Sequence, residues 1–261
     1  MTSYEPHRAH AAVVNNALSR LLRGLTLRPE HRVRLQARGL GITEIERLRY
    51  TSAPATEAER QRAADALAPY LEACGGGVPG FYRERGRWQM VYRPPGFFIP
   101  VRDECGHIQA LSQRVDEPRD GAKYIWLSSA DRDGGASSEA PPHFAGHHLL
   151  YSAPEVTVTE GALKADVAAY LLGAPVIGVA GTHAVRGLAA RLKAGYPLLR
   201  GVLVAYDRDM VEKPQVLEAA LNLCVQLKAE GFDVKVRTWT APEKGLDDFL
   251  LAQLSVREVA A

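Results

Sequence analysis

Three acidic residues stand where apolar runs have just ended. Glu160 follows the run Val156 to Thr159, and Asp207 with Asp209 follows Gly201 to Tyr206. Runs of this kind read as buried strands of a parallel sheet, and such sheets bind their ligands at the carboxyl ends of the strands. Carboxylates gathered at that edge suit a hard cation. Magnesium fits best, because it takes few carboxylates, keeps water, and gives its open positions to phosphate oxygens. If the chain stays extended from Asp207 to Asp209, both side chains leave on one side and share the ion with Glu160. A D-x-D pair alone reads more readily as a solvated strand-to-helix loop with Asp as a cap, and a lone Glu-Gly is no stronger. The conjunction carries the reading, since each acid sits directly behind an apolar strand.

The elements that must position these acids alternate. Val156 to Thr159 predicts a strand, Leu163 to Leu172 a helix, Pro175 to Val179 a strand, Ala184 to Ala194 a helix and Gly201 to Tyr206 a strand. A long helix from Gln215 to Glu230 stops at Gly231, and Val234 to Trp239 makes a further strand. This βαβ texture predicts an α/β fold with a parallel sheet covered by helices on both faces. Upstream the texture differs. Helical spacing runs from Ala11 to Leu25, a second short helix begins at Pro29, Thr43 with Glu46 fits a capping box, and Thr56 with Glu59 fits another ahead of Ala63 to Cys74. Gly75-Gly76-Gly77 marks a boundary, after which short β-rich runs follow: Trp88 to Tyr92, Phe97 to Val101, His107 to Val115 and Tyr124 to Leu127. Asp103 to Gly106 reads as a hairpin turn, and the polar stretch from Ala130 to Pro142 as a mobile loop. Three regions result: a helical, arginine-rich region 1–75, a smaller β-rich subdomain 76–150, and an α/β domain 151–261.

Composition narrows the function classes. The 261 residues are 46% hydrophobic and 24% charged, which is ordinary for a globular protein and unlike a disordered chain. No stretch is apolar enough for a membrane span, and the polar start from Met1 to His10 lacks the core of a signal peptide, so a cytoplasmic location without membrane partners is expected. Cys74, Cys105 and Cys224 lie far apart, outside any C-x-x-C pair, so no disulfide framework and no zinc site is expected. His143, His147 and His148 have no cysteine or carboxylate at ligand spacing and read as surface histidines. The net charge of +2 does not by itself imply nucleic acid, although arginines crowd the stretch from Arg20 to Arg49.

Four segments together carry a family resemblance. Thr159-Glu160-Gly161, Gly178-Val179-Ala180-Gly181-Thr182, Ala205-Tyr206-Asp207-Arg208-Asp209 and Lys244-Gly245-Leu246-Asp247-Asp248-Phe249-Leu250 resemble the successive signature blocks of the Toprim domain. The variant they are similar to is that of bacterial DnaG-type primases and of Toprim proteins carried by phages, plasmids and mobile elements. Glu160-Gly161-Ala162-Leu163-Lys164-Ala165-Asp166 resembles the mobile-element branch in particular. Upstream, Phe97 to Asp103, Gly106, Gln113-Arg114-Val115 and Lys123-Tyr124-Ile125 are similar to the sheet that precedes Toprim in primases, and Arg38-Gly39-Leu40 with Ile45-Glu46-Arg47 is similar to its helices. The fold implied is a Rossmann-like Toprim sheet flanked by helices and preceded by a smaller α+β primase-like subdomain. No Cys/His quartet stands in for the zinc-binding module of full primases.

The resemblance implies primer synthesis on single-stranded DNA from nucleoside triphosphates, with Mg2+ as cofactor and Mn2+ able to stand in. Glu160, Asp207 and Asp209 would be the catalytic metal ligands, and Asp247 and Asp248 an outer carboxylate cluster, the last two reading equally as caps of the final helix. Arg114, Lys123, Lys164 and Lys244 would contact nucleotide or DNA phosphates, while Lys164 reads equally as an exposed helix lysine. Tyr82, Trp88, Tyr92, Phe97 and Phe98 could stack bases, but Phe98 and Tyr92 read first as sheet core. The expected function is a primase-like nucleotidyltransferase core of a mobile element or phage, acting with a separate helicase or DNA-binding subunit. The alternatives are a Toprim nuclease and a non-catalytic nucleic-acid-binding replication accessory.

Overall fold

The computed structural model of the chain describes residues 8–119, 121–181, 185–240 and 242–259. Thr182 of the second resemblance block, the expected helix start at Ala184 and most of the polar amino-terminal stretch lie outside the described residues. The chain forms two compact units. The first comprises Met1–Arg34, Ile45–Val101 and His107–Ala140, and the second Leu35–Glu44, Arg102–Gly106 and Pro141–Ala261.

The first unit begins with α1 (Ala11–Arg23), followed by α2 (Pro29–Gln36) and α3 (Ile42–Leu48), whose facing ends count with the second unit. Then come β1 (Thr51–Ser52), α4 (Glu57–Cys74), β2 (Phe81–Glu84), β3 (Arg87–Met90), β4 (Gly96–Arg102), β5 (Ile108–Arg119) and β6 (Ala122–Trp126). Helix α4 starts on the expected capping box: the Thr56 hydroxyl accepts the Glu59 amide, and the Glu59 carboxylate accepts the Thr56 amide. Thr43 instead lies inside α3. Four strands pair in the order β1-β4-β5-β6, and β2 with β3 forms a separate hairpin. One core joins Leu18 and Leu21 of α1, Leu67 and Leu71 of α4, and Phe81, Trp88, Phe98 and Leu111 of the strands. Tyr92 is not in that core. It is exposed, with the Arg60 guanidinium 5.0 Å above its ring, because the chain has left β3 two residues earlier.

A buried polar line stitches this unit. Fully buried His31 lies 2.7 Å from the Ser52 hydroxyl through Nδ1 and 3.0 Å from the Asp116 carboxylate through Nε2. Ser52 accepts the Arg28 amide at 2.8 Å, so its own proton goes to Nδ1 and the ring donates from Nε2 to Asp116. The stretch expected to be a mobile loop is pinned at its middle, where the Ala136 amide donates to the Ser129 hydroxyl and Gly134 accepts the Gly77 amide.

The second unit contains β7 (His143–Ala145), α5 (His147–Leu150), β8 (Glu155–Glu160), α6 (Ala162–Leu172), β9 (Val176–Val179), α7 (Leu188–Gly195), β10 (Gly201–Val204), α8 (Pro214–Ala229), β11 (Asp233–Val236) and α9 (Leu246–Val259). Its strands pair in the order β11-β10-β8-β9-β7. The pairs β11/β10, β10/β8 and β8/β9 are parallel, and β7 closes one edge antiparallel to β9. Alternating side chains split between two apolar layers. Val156, Val158, Val202 and Val204 face Leu188 and Leu192 of α7 and Leu223 and Leu227 of α8. Val176 packs in the opposite layer with Ala165 and Ala168 of α6 and Leu246 of α9. This is the mixed α/β fold expected, with an antiparallel edge strand that the sequence pattern did not announce.

That edge strand is held by a histidine expected at the surface. His143 is 1% exposed: its Nδ1 accepts the Arg102 amide at 2.9 Å, which leaves the proton on Nε2 for buried Asp166 of α6 at 2.9 Å. The polar pair lies 23 residues apart, too far for ligand-type spacing to reveal.

Glycine is required beside the first acid. Gly161 turns the chain from β8 into α6 at φ 79, a region open to glycine and costly for other residues. Gly178 on the neighbouring strand packs directly under that turn, and a Cβ there would sit 2.6 Å from the Gly161 carbonyl oxygen and 3.0 Å from the Ala165 Cβ. Gly178→Ala is therefore expected to cost about 1–3 kcal/mol through overpacking, read as a lower midpoint in urea unfolding, and to displace Glu160. A midpoint equal to wild type would show that this contact does not position the turn.

Candidate active site

The acids sit at one edge of the parallel sheet, held by the strands that precede them. Glu160 ends β8, and β8 pairs with β10 in register from Glu155 opposite Gly201 to Val158 opposite Val204. The Thr159 hydroxyl donates to the Ala205 carbonyl at 2.8 Å, and the Ala205 amide donates to the Val158 carbonyl. These bonds extend the pairing beyond the regular strand and place Asp207 beside Glu160. The chain then leaves the extended form. Asp207 precedes a short 3-10 helix, Arg208–Glu212, so the shared-side geometry expected for extended Asp207 and Asp209 does not occur. Asp207 makes no side-chain capping bond, which also removes the bland reading of this acid as a helix cap.

Each acid has a distinct partner. Asp207 is 4% exposed and pairs with the Lys164 ammonium from the first turn of α6. The Asp209 carboxylate receives Lys213 at 2.9 Å and Lys244 at 2.6 Å on the same oxygen, Oδ2. Asp247, 1% exposed in the first turn of α9, pairs with Arg38. Asp248 is exposed. Lys244 is carried on a loop fixed by its carbonyl, which accepts the Arg208 amide, and by the Trp239 indole, which donates to the Glu243 carbonyl at 2.7 Å and stacks on Phe249. A backbone bond thus ties the loop to the 3-10 turn.

Among the described residues, three buried carboxylate oxygens have no hydrogen-bond partner: Glu160 Oε1, Asp209 Oδ1 and Asp247 Oδ1. Buried acceptors are rarely left this way, and hard oxygen donors of this kind fit Mg2+ or Mn2+ in type. Yet no group of three or more His, Cys, Asp or Glu side chains among the described residues stands close enough together to hold an ion. The donors are present and the lysines stand among them.

The electrostatics agree with that crowding. Burial raises the Glu160 carboxyl above its usual range, the Asp207 charge raises it further, and Lys164 and Lys213 only partly offset this. At Asp209 burial acts upward as well, but the bonds from Lys244 and Lys213 outweigh it and hold the carboxyl below its ordinary value.

The remaining expected contacts belong to the first unit. Arg114 on β5 is opposite Tyr124 on β6, with its guanidinium 5.3 Å over that ring, and Lys123 is exposed on β6. The site in the second unit thus brings together Glu160, Asp207, Asp209, Lys164 and Lys244. It adds Lys213 and Arg38, neither of which the sequence reading placed at the acids. Lys213 could have been found four residues after Asp209 at helical spacing, whereas Arg38 is 209 residues from its partner and left no local signal.

Because the folded carboxyl of Glu160 binds its proton more tightly than in the unfolded chain, it stabilises the metal-free fold below the ordinary carboxylate pKa. That contribution is lost as pH rises through the raised value. In chelator, Glu160→Gln should then match wild type near pH 4 and melt higher than wild type at pH 8. A mutant melting lower at pH 8 would contradict a strained, unpaired carboxylate at this edge.

Comparison with known proteins bears on the fold. A family model described as "Domain of unknown function (DUF3854)" matches residues 150–255. No curated protein matches the chain. Among solved structures, the Aquifex aeolicus primase, comprising zinc-binding and RNA polymerase domains, superposes with a TM-score of 0.66 at 16% identity, covering 95% of this chain and 59% of that one. The RNA polymerase domain of Mycobacterium tuberculosis primase DnaG gives 0.65 at 15% identity, over 95% of this chain and 82% of that one. A DnaG primase catalytic domain bound to single-stranded DNA gives 0.64 at 15%, over 95% and 77%. The chain thus spans about three fifths of the Aquifex protein, and its fold is similar to that of DnaG primase catalytic cores.

Proposed function

We propose that this chain is a primase-like nucleotidyltransferase core, with residues 151–261 forming a Toprim-type centre that works with Mg2+ on single-stranded DNA. The observation that carries the reading is the set of unpartnered oxygens on Glu160 and Asp209 at the sheet edge that holds buried Asp207. Its support is a primase-core fold over 95% of the chain. Glu160, Asp207 and Asp209 would hold the cation, with Mn2+ able to replace it. When bound, the metal neutralises charge that builds on phosphoryl oxygens as a 3′-hydroxyl displaces pyrophosphate.

The protein's own groups supply the rest. Lys213 and Lys244 are about half exposed and share one oxygen of Asp209, so either can turn to a triphosphate oxygen while the other keeps Asp209 compensated. Asp247 is tied to Arg38, which makes it an outer carboxylate that braces the loop of Lys244. Arg114 and Lys123 offer phosphate contacts from the first unit, and cationic side chains stacked on aromatic rings, such as Arg114 on Tyr124 and Arg132 on Tyr82, suit a single strand whose bases are unpaired. The place of the chain in phage or mobile-element replication, beside a helicase or DNA-binding subunit, rests on the sequence blocks around Glu160. No described helix is long and apolar enough to cross a membrane.

The test is incorporation of labelled nucleotides on single-stranded DNA with Mg2+ or Mn2+, beside Asp207→Asn/Asp209→Asn. Loss of about a hundredfold or more in the folded double mutant is expected. Metal-dependent strand cleavage without incorporation would replace the primase with a nuclease. DNA binding that survives the double substitution, with neither activity in wild type, would leave a non-catalytic accessory.

A further inference from the structure

The acid cluster already contains cations of its own. Lys164 reaches buried Asp207 and is itself only 19% exposed, so it is a held charge and not a mobile surface lysine. Its stem runs along Gly245, where a Cβ would stand 3.3 Å from Lys164 Cε and 3.5 Å from Cδ, and 2.6 Å from Asp247 Oδ1. A side chain at Gly245 would clash with Asp247 and crowd the lysine stem. Lys164 also acts electrostatically on Glu160 and Asp248, so one ammonium serves several acids. Lys213 and Lys244 serve Asp209 in the same way but from half-exposed positions.

We infer that Lys164 is a built-in cation of this site, and that the acids consequently take a divalent ion together with a nucleoside triphosphate and not ahead of it. The inference rests on the metal-binding reading above and specifies its order. A dication approaching Asp207 meets an ammonium already in contact with the oxygen it would use, and at such separations like-charge repulsion inside a partly buried site is large. The oxygens left open, Glu160 Oε1, Asp209 Oδ1 and Asp247 Oδ1, do not stand close enough together to hold the ion without further donors. A triphosphate changes both conditions at once. It brings oxygen donors for the metal and a negative charge onto which the lysines can turn. Metal and nucleotide must then strengthen each other's binding by the same factor.

The experiment is a Mn2+ titration of the full chain by water-proton relaxation, with Mn2+ alone and with a non-hydrolysable nucleoside triphosphate analogue. It is run on wild type, Lys164→Met and Lys164→Arg, with circular dichroism to establish that each is folded. Wild type and Lys164→Arg should bind Mn2+ weakly alone and about tenfold or more tightly with the analogue. Lys164→Met should bind Mn2+ alone about tenfold more tightly than wild type, a gain that a purely structural lysine would not produce, and should show less synergy with the analogue. A folded Lys164→Met no tighter for Mn2+ than wild type overturns the role of Lys164. If that variant does not fold, wild type decides: equal Mn2+ affinity with and without the analogue overturns the binding order. Absence of Mn2+ binding under every condition would instead remove the metal-centre reading itself.

Discussion

A carboxylate buried at the end of a strand cannot remain a bare anion, and this requirement organises the second unit. Asp207 lies three residues beyond the end of β10, nearly out of contact with water, and Lys164 supplies its counter-charge from the neighbouring crossover helix. For the ammonium to arrive there, α6 must start immediately after Glu160, which requires the left-handed turn at Gly161 and the bare backbone of Gly178 beneath it. The lysine stem also packs beside Gly245. One ion pair thus constrains a strand end, a helix start and a loop.

The same principle recurs through the molecule at different strengths. Asp247 is compensated by Arg38, Asp166 by a neutral histidine that donates one proton, and Asp116 by His31. In the two histidine pairs the carboxylate receives a hydrogen bond whose donor is oriented at its other nitrogen, by the Arg102 amide in one case and the Ser52 hydroxyl in the other. Such fully connected polar pairs specify how elements meet, because a buried group left half-satisfied costs more than the bond contributes net. Glu160, Asp209 and Asp247 depart from this rule with one open oxygen each. Among the described residues the open carboxylate oxygens belong to acids at or near this sheet edge, and the proposed function rests on that clustering.

Much of the fold was legible because its determinants are periodic. The βαβ alternation, the apolar runs of β8, β9 and β10, the helix stop at Gly231 and the capping box at Thr56 appear as local patterns whose physics is local. The edge strand β7 was not legible: three residues at the end of a polar loop show no period, and they become a strand only because β9 offers an open edge. Tyr92 was misplaced for a related reason, since an alternation continued past Met90 after the strand itself had ended.

At the site, the sequence by itself determined which residues stand at the carboxyl edge, because a strand that must be buried delivers the next residue to its end. Glu160 and Asp207 follow from that alone. It did not determine what those acids touch. The 3-10 turn after Asp207 separates it from Asp209, and the partners of the acids come from 43 residues away for Lys164 and 209 for Arg38. Pairings at such separations are set by the packing of whole elements and leave no spacing to read, so only the tertiary structure decided that the carboxylates meet lysines of their own chain.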